Sequence, residues 1–573
     1  MTLPGVVTPA LVARVVPDVT GLDKQFDYLV PEPIRHLVAV GTKVRVPLHG
    51  RRVGGWVVAL GPPDPALPVE KLVPIAKVSS VGPPADVVDL AFWAADRWGA
   101  PRIRPFLVAA QPPTMVTALP TSRRTHRSGG MRATSVVRRT TPLTDPLPLL
   151  VDVAAAGPCI VVHPTPAATR AIANRLRKAG LSVALLPDEW AQAAAGVDVV
   201  VGTRIAVWAP CPGLASMVVL DEHDEALQEE RTPTWHARDV AIERCERSGA
   251  ACVLVSPCPT LSALHWAGTR LVEPTADEAV HGWPFVEVVD RSDEEPWKRS
   301  LLSSALIAQL RRPEARVVCV LNTAGRARLV ACRSCKSLQR CERCDAAVAL
   351  DDRSMLMCAR CGTERPQVCQ QCGSGAMALV KPGVSRLREE LEAAANRPVV
   401  AVTGDTDELV AADVYVGTEA VLHRVRNIDV VAFLDFDAEL LAPRYRAVEH
   451  ALALLVRAGR LVGSRERGGR VMAQTFTPQH PLLAAVQLAD PARAVPAEMA
   501  RRELLGLPPF RALAVVEGAG ADELALATGL EWAPTPKGAM VRADDWLELG
   551  RSLAVAPRPK GSRLRVEVDP PRA

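Results

Sequence analysis

The sequence predicts a multidomain α/β protein: a small β domain, two α/β lobes of which the second is interrupted by a cysteine-rich metal module, and a last α/β segment. Three observations predict it. A chain of 573 residues exceeds one domain, since domains usually run to roughly 100 to 200 residues. Two stretches 215 residues apart repeat one pattern, and eight cysteines in four C-x2-C pairs interrupt the start of the second lobe, between the strands expected at Val317 and Val399.

From Leu11 to Leu60, apolar and polar residues alternate between Gly and Pro breaks, as in strands with one buried face. Ala85 to Gly99 has helical spacing, with Val88, Phe92, Ala95 and Trp98 on one face, and that stripe reads as core. Ser122 to Thr140 carries Arg123, Arg124, Arg127, Arg132, Arg138 and Arg139 and no acid, and prolines flank it. It reads as a basic, weakly structured linker able to lie along phosphates.

The repeat begins at Val197-Asp198-Val199-Val200-Val201-Gly202-Thr203, followed by Met217-Val218-Val219-Leu220-Asp221-Glu222. Its second copy is Ala412-Asp413-Val414-Tyr415-Val416-Gly417-Thr418, followed by Val430-Val431-Ala432-Phe433-Leu434-Asp435. Further strands are expected at Ile160 to Val162, Ser182 to Leu186, Cys252 to Ser256, Val317 to Leu321 and Val399 to Val402. Helical patterns at Ala167 to Ala179, His236 to Arg247 and Arg386 to Ala395 separate them. Short apolar strands alternating with helices imply parallel sheets covered on both faces. Acids at the carboxyl ends of such strands face a ligand crevice, which singles out Asp221, Glu222 and Asp435. After the lobes, Ala497 to Ala573 forms the last segment, with a strand expected at Leu564 to Val568.

The cysteine pairs are Cys332 with Cys335, Cys341 with Cys344, Cys358 with Cys361, and Cys369 with Cys372. A C-x2-C turn points two thiolates at one place, and two turns complete the S4 shell that zinc prefers. Eight ligands therefore make two closed zinc sites of structural role. The loops between them, such as Lys336 to Arg340, have little apolar content, so metal must hold the module together; a site in zinc-finger peptides supplies about 10 to 16 kcal/mol. The remaining cysteines (Cys159, Cys211, Cys245, Cys252, Cys258, Cys319) read as buried free thiols.

With 48% hydrophobic residues the chain can build ample cores, yet no run reaches the 18 or so apolar residues of a spanning helix. Met1 to Val16 lacks the basic-then-apolar order of a signal peptide. A cytoplasmic, nucleoid-associated protein with no membrane partner is expected. The net charge of +5 permits nucleic acid binding without demanding it.

The cysteine ladder C-x2-C-x5-C-x2-C-x13-C-x2-C-x7-C-x2-C, set inside a second α/β lobe, resembles that of the bacterial PriA family of replication-restart proteins, superfamily 2 DNA helicases that recognise abandoned forks. Gln25-Phe26-Asp27-Tyr28-Leu29-Val30-Pro31, Val201-Gly202-Thr203-Arg204, Leu220-Asp221-Glu222-His223-Asp224, Trp235-His236-Ala237-Arg238-Asp239, Leu504 to Pro509 and Val568-Asp569-Pro570 extend the resemblance over nearly the whole chain. It implies a degenerate, actinobacterial-type member. Its domains would be an N-terminal β domain that binds DNA 3′ ends (1–80), a winged helix touching parental duplex (81–118) and the basic linker (119–148). Two RecA-like lobes (149–295; 296–330 with 376–490), the two-zinc module (331–375) and a C-terminal domain (491–573) would follow. The outer cysteines Cys332, Cys335, Cys369 and Cys372 would share one zinc, and the inner Cys341, Cys344, Cys358 and Cys361 the other. Phe26 would stack near the terminal base and Asp27 would accept from the 3′ hydroxyl, with Arg123, Arg124 and Arg127 along the backbone. A carboxylate suits a hydroxyl and repels a phosphate. The zinc module would contact single-stranded DNA, the replicative helicase or other primosome proteins.

The departures carry equal weight. No Gly-Lys-Ser/Thr phosphate loop occurs anywhere; Thr141 to Leu149, in its place, is rich in proline and lacks glycine, so the backbone cannot close around a phosphate. The family's acidic motif is one residue short after Glu222. Its other motor motifs have become Val255-Ser256-Pro257-Cys258-Pro259, Leu422-His423-Arg424 and Arg457-Ala458-Gly459-Arg460-Leu461-Val462-Gly463. Asp221 and Glu222 therefore read as remnants, no catalytic residue is assigned, and ATP with magnesium is not expected. The leading reading is a scaffold that binds branched DNA and promotes primosome assembly and helicase reloading. An active helicase with an atypical phosphate site and a zinc-ribbon protein binding RNA or transcription machinery are the competing ones.

Overall fold

The computed structural model describes residues 10–22, 24–65, 69–125, 133–293, 301–322, 329–351, 353–379, 387–402, 409–559, 561 and 563–572. It divides into two compact units: Met1–Val136 with Pro146–Val255 and Arg511–Pro570, and Val137–Asp145 with Ser256–Phe510 and Pro571–Ala573. Among the described residues no helix is long and apolar enough to cross a membrane.

The first unit opens with an antiparallel sheet of β1 (Val12–Pro17), β2 (Phe26–Leu29), β3 (Lys43–Leu48), β4 (Arg51–Gly61) and β5 (Lys77–Ser80), in the order β2-β1-β4-β3-β5. Alternation gives it one apolar face. Ala13, Val15, Tyr28, Val44, Val46, Val57 and Ile75 pack there, while the residues between them point the other way. Helices α1 (Ala85–Arg97) and α2 (Arg104–Ala110) follow. Val88, Ala95 and Trp98 of the expected stripe are buried.

The lobe of this unit is a parallel sheet whose strands run, in spatial order, Ala251–Ser256, Ser216–Leu220, Cys159–Val162, Val199–Gly202 and Val183–Leu185. Four of these strands are buried at every residue, the mark of a sheet covered on both faces. Helices Pro166–Lys178 and Ala237–Ser248 match the periodicity read from sequence. The C-terminal part forms an antiparallel sheet in the order Glu531–Thr535, Gly538–Ala543, Ala512–Glu517, Arg565–Val568, with helix Trp546–Val555.

The second unit carries a six-stranded parallel sheet: Phe285–Asp290, Arg470–Thr475, Val430–Phe433, Val317–Val320, Val414–Gly417, Val399–Val402. Its last five strands repeat the order of the first lobe. Val317–Val320 takes the central place of Cys159–Val162, and the two Gly-ended strands of the repeat, Val199–Gly202 and Val414–Gly417, are equivalent. These are the two RecA-like parallel lobes of the expected architecture. The cysteine module lies in the chain between Val317–Val320 and Val399–Val402 and sits on its own lobe: Leu329, Leu338 and Ala347 join the lobe core, and Arg360 donates to the Ala442 carbonyl at 2.8 Å.

The basic segment is not a free linker throughout. Val136–Arg139 forms a strand in which Val137 is fully buried, and Val137 and Arg138 pair in parallel with Leu271 and Val272. Two β-branched residues before the arginines favour that strand, and its flanking charges hid it. Upstream, Asp198 pins Thr125, accepting from its amide at 3.0 Å and its hydroxyl at 2.8 Å. Asp198 also accepts from the Ser182 amide and hydroxyl. Burial raises its carboxyl, and these donors outweigh burial and hold it below the usual range.

Candidate metal centres and nucleic-acid interface

Each C-x2-C pair closes the same small loop. The residue after the second cysteine turns left-handed: Lys336 (φ 64), Asp345 (φ 61), Gly362 (φ 71) and Gly373 (φ 73). Its amide donates back to the carbonyl of the first cysteine, at 2.9 Å in all four loops. The amide of the first cysteine donates to the carbonyl five residues on, Ser337, Ala346, Thr363 or Ser374, at 2.8 to 2.9 Å. The chain thus holds two thiols on one side before any metal arrives. The signal was in the sequence as a hexapeptide recurring four times, Cys332 to Ser337, Cys341 to Ala346, Cys358 to Thr363 and Cys369 to Ser374; ligand spacing marks only its cysteines.

The structure brings Cys332, Cys335, Cys369 and Cys372 together in one group and Cys341, Cys344, Cys358 and Cys361 in another, all sulfurs of a group lying within 4.8 Å of one another. Cross-pair Sγ···Sγ distances are 3.4 to 3.5 Å. A disulfide is about 2.05 Å, and a tetrahedron with zinc arms of about 2.3 Å has edges near 3.8 Å. These are thiol clusters of coordination size, and two metal ions fit the donor set. Around the outer group, Ser337 Oγ lies 3.1 Å from Cys335 Sγ, and buried Gln339 donates to Cys369 Sγ at 3.4 Å. In the inner group Thr363 Oγ1 lies 3.1 Å from Cys361 Sγ. Burial raises the Cys369 thiol, but the Ser337 hydroxyl and the amides of Cys372 and Gln371 overcome it and bring it down to about 6. Such a shell favours the thiolates that bind metal. Spacing did not foretell these polar neighbours.

Where a phosphate loop would lie, the chain instead closes on itself. The Thr141 amide donates to Thr144 Oγ1 at 3.0 Å, and the two hydroxyls are 2.9 Å apart. Pro142 and Pro146 have no N–H to offer. Thr141 is buried against Gly282, where a Cβ would come within 2.0 Å of Thr141 Oγ1. Arg460, from the altered arginine motif, donates to the Pro142 carbonyl at 3.1 Å. The Thr141 and Thr144 amides and Arg460 thus bond to protein in this loop.

Asp221 ends Ser216–Leu220 in a left-handed conformation (φ 51), with His163 Nε2 at 3.5 Å from its carboxylate. Glu222 is fully buried and paired with Arg238 at 3.0 Å. Arg238 also meets Asp239 at 2.7 Å and Asp569 at 3.6 Å. In the second lobe, buried Asp437 accepts from the Thr475 hydroxyl and the Phe476 amide, at 2.8 and 2.7 Å. These carboxylates tie the fold together.

In the N-terminal sheet Asp27 stands opposite Arg14 and takes its guanidinium through both oxygens, at 2.9 and 3.2 Å. Phe26 is half-buried against the apolar face. Sequence reasoning missed Arg14, because a cross-strand partner shows only once the register is known. Arg123 and Arg124 lie along the first lobe: the Arg123 amide donates to the Gly196 carbonyl at 3.0 Å and the Arg124 guanidinium to that of Pro212. Arg127 lies outside the described residues.

A family model described as a 3′ DNA-binding domain matches residues 14–110, a span that takes in nearly all of the five-stranded sheet and both helices after it. The chain is similar to the replication restart protein PriA of Bacillus subtilis, at 30% identity over 364 residues, 59% of this chain and 45% of that protein. It is similar to that of Synechocystis sp. at 27% identity over 384 residues, 60% of this chain and 46% of that protein. The chain thus spans about half the length of the curated relatives it matches. Among solved structures, S. cerevisiae Dbp5 bound to RNA and ADP BeF3 aligns with 65% of this chain and 89% of its own, at 11% identity and a TM-score of 0.33.

Proposed function

Since the chain is related to the replication restart PriA proteins, we propose that it acts in replication restart, binding branched DNA at abandoned or stalled forks and promoting primosome assembly and reloading of the replicative helicase without unwinding DNA by its own ATP hydrolysis. The observation that carries this is the match of residues 14–110 to a 3′ DNA-binding domain, joined to a second lobe that keeps its cysteine module. The Asp27 edge of the sheet takes the 3′ end of a nascent strand: its carboxylate accepts from a free hydroxyl, and Arg14 holds it in place. The two four-cysteine groups take zinc and present the module to single-stranded DNA and to primosome partners. Arg123, Arg124 and Arg127 add phosphate contacts.

The self-closed Thr141–Thr144 loop supports the non-motor part of the reading. Phosphoryl transfer depends almost wholly on positioning and electrostatics, and this loop spends its donors internally. The test compares binding to a fork with a free 3′ hydroxyl, the same fork blocked by a 3′ phosphate, and plain RNA, over a range of salt. Preference for the hydroxyl-ended fork is expected. Equal affinity for all three would sink fork recognition.

A further inference from the structure

The N-terminal sheet has a second face, and it is cationic. In its register Lys43 stands opposite Trp56, Arg45 opposite both Gly54 and Lys77, and Pro47 opposite Arg52. Val44 and Val46, which alternate with these, belong to the apolar face. Lys43, Arg45, Arg52 and Lys77 therefore project from the other side, as does the Arg14–Asp27 pair at the β2 edge. Arg45, Arg52 and Lys77 are exposed, and their side chains make no hydrogen bond or ion pair among the described residues. Lys43 is spoken for: its Nζ is 3.0 Å from Asp18 and 2.7 Å from Gln111 Oε1, and 4.6 Å from the Trp56 ring centroid. Asp18 is further balanced by Arg104 at 2.7 Å.

A cavity of 440 Å³ opens on this face between Gly54, Asp18, Gln111 and Met115. Its wall combines apolar surface with the carboxylate and amide oxygens of Asp18 and Gln111, already held by Lys43 and Arg104, whose remaining lone pairs suit the amino edge of a nucleobase. The unpaired cations stand beside it. From β2 to β5 the face crosses four inter-strand spacings, about 19 Å, long enough for several nucleotides.

We propose that single-stranded DNA leading away from the 3′ end crosses this face, with Arg52, Arg45 and Lys77 on successive phosphates and one base in the cavity beside Gly54. The inference deepens the end-binding reading and rests on it for the position of the terminal nucleotide. Charge complementarity commits the occupant to a nucleic acid strand, and every residue involved except Gln111 and Met115 lies inside the span matched to a 3′ DNA-binding domain.

The test measures the full chain by fluorescence anisotropy against a deoxycytidine dinucleotide and octanucleotide, each ending in a 3′ hydroxyl or a 3′ phosphate, across salt concentrations. The octanucleotide binds more tightly than the dinucleotide to the unmodified protein. Arg45→Ala with Lys77→Ala lowers octanucleotide affinity about tenfold and flattens its salt slope by about 1.4, some 0.7 for each phosphate left unneutralised. Dinucleotide affinity and hydroxyl preference stay as they were. Arg45→Lys retains most of the octanucleotide affinity. Gly54→Val, whose Cβ meets Lys43 and Asp18 only at the ordinary distances of 3.6 and 3.8 Å, weakens the octanucleotide without changing the slope. Unchanged octanucleotide affinity and slope in the double variant would overturn the path. Equal affinity of the unmodified protein for hydroxyl and phosphate ends would instead overturn the end-binding reading, and the length and salt comparisons would still decide the path.

Discussion

The Nε of Arg460 donates to the carbonyl oxygen of Pro142 at 3.1 Å, so this arginine is held by the proline-rich stretch that follows Thr140. The loop in turn satisfies the Thr141 amide through Thr144. A nucleotide would have to displace both contacts and find glycine amides that are not there.

The first prediction follows from that contact. Purified protein should release phosphate from ATP no faster in the presence of fork DNA than in its absence. DNA-stimulated turnover that disappears in Asp221→Asn would show a working motor and end the scaffold reading.

Glu222 supports a second prediction, about stability. It is fully buried against Arg238, and removing one member of a buried pair typically costs about 3 to 5 kcal/mol. Asp239 and Asp569 also meet Arg238, so Glu222→Ala should fall at the lower end, about 3 kcal/mol, in denaturant titration, with fork affinity intact in the fraction that remains folded. A loss of fork binding without loss of stability would assign Glu222 a functional role instead.

The metal content of the protein gives a third. Two zinc ions per chain are expected, with Cys335→Ser removing one and Cys361→Ser removing the other, since they belong to separate groups. Elemental analysis of each variant decides it; release of both metals by either single substitution would point to a shared cluster.

A fourth concerns pH. Burial lowers the His480 imidazole to about 4, and its Nδ1 accepts from the Leu482 amide at 3.2 Å as a helix cap. The folded state thus binds this proton less readily than the unfolded state, whose value is about 6.5. Above that value the group leaves stability unchanged. As pH falls from about 6.5 to 4, the unfolded state takes up the proton first and stability drops, by about 2 to 3 kcal/mol in all. His480→Asn keeps an acceptor at the cap and should remove this part of the acid sensitivity, read as the difference between the two proteins' melting curves. Identical pH profiles would refute the assignment.

What could be read from sequence was what depends on near neighbours. The strands around Val199 and Val414, the helix at Ala237 and the cysteine turns are each specified within a dozen residues. The misses are contacts between distant positions. Asp198 reaches Thr125 across 73 residues, Arg460 reaches Pro142 across 318, and Arg14 meets Asp27 only through strand register. Val136–Arg139 was hidden differently: its strand partner, Leu271–Val272, is short and far along the chain, so arginine content dominated the local reading. Gln339 beside Cys369 belongs with the distant contacts, since a glutamine between cysteine pairs has no periodicity to mark it.

The two thiol groups are nested like parentheses. The inner one is complete once Cys361 has been synthesised and spans a gap of 13 residues, 345–357, whereas the outer one waits for Cys372 and spans 336–368. Loop-closure entropy grows with the length closed, and closing the inner gap first shortens the effective chain that the outer group must bridge. Metal that loads during synthesis would therefore enter in order, inner ion before outer. A chain that binds its outer ion first must close the longer loop unaided.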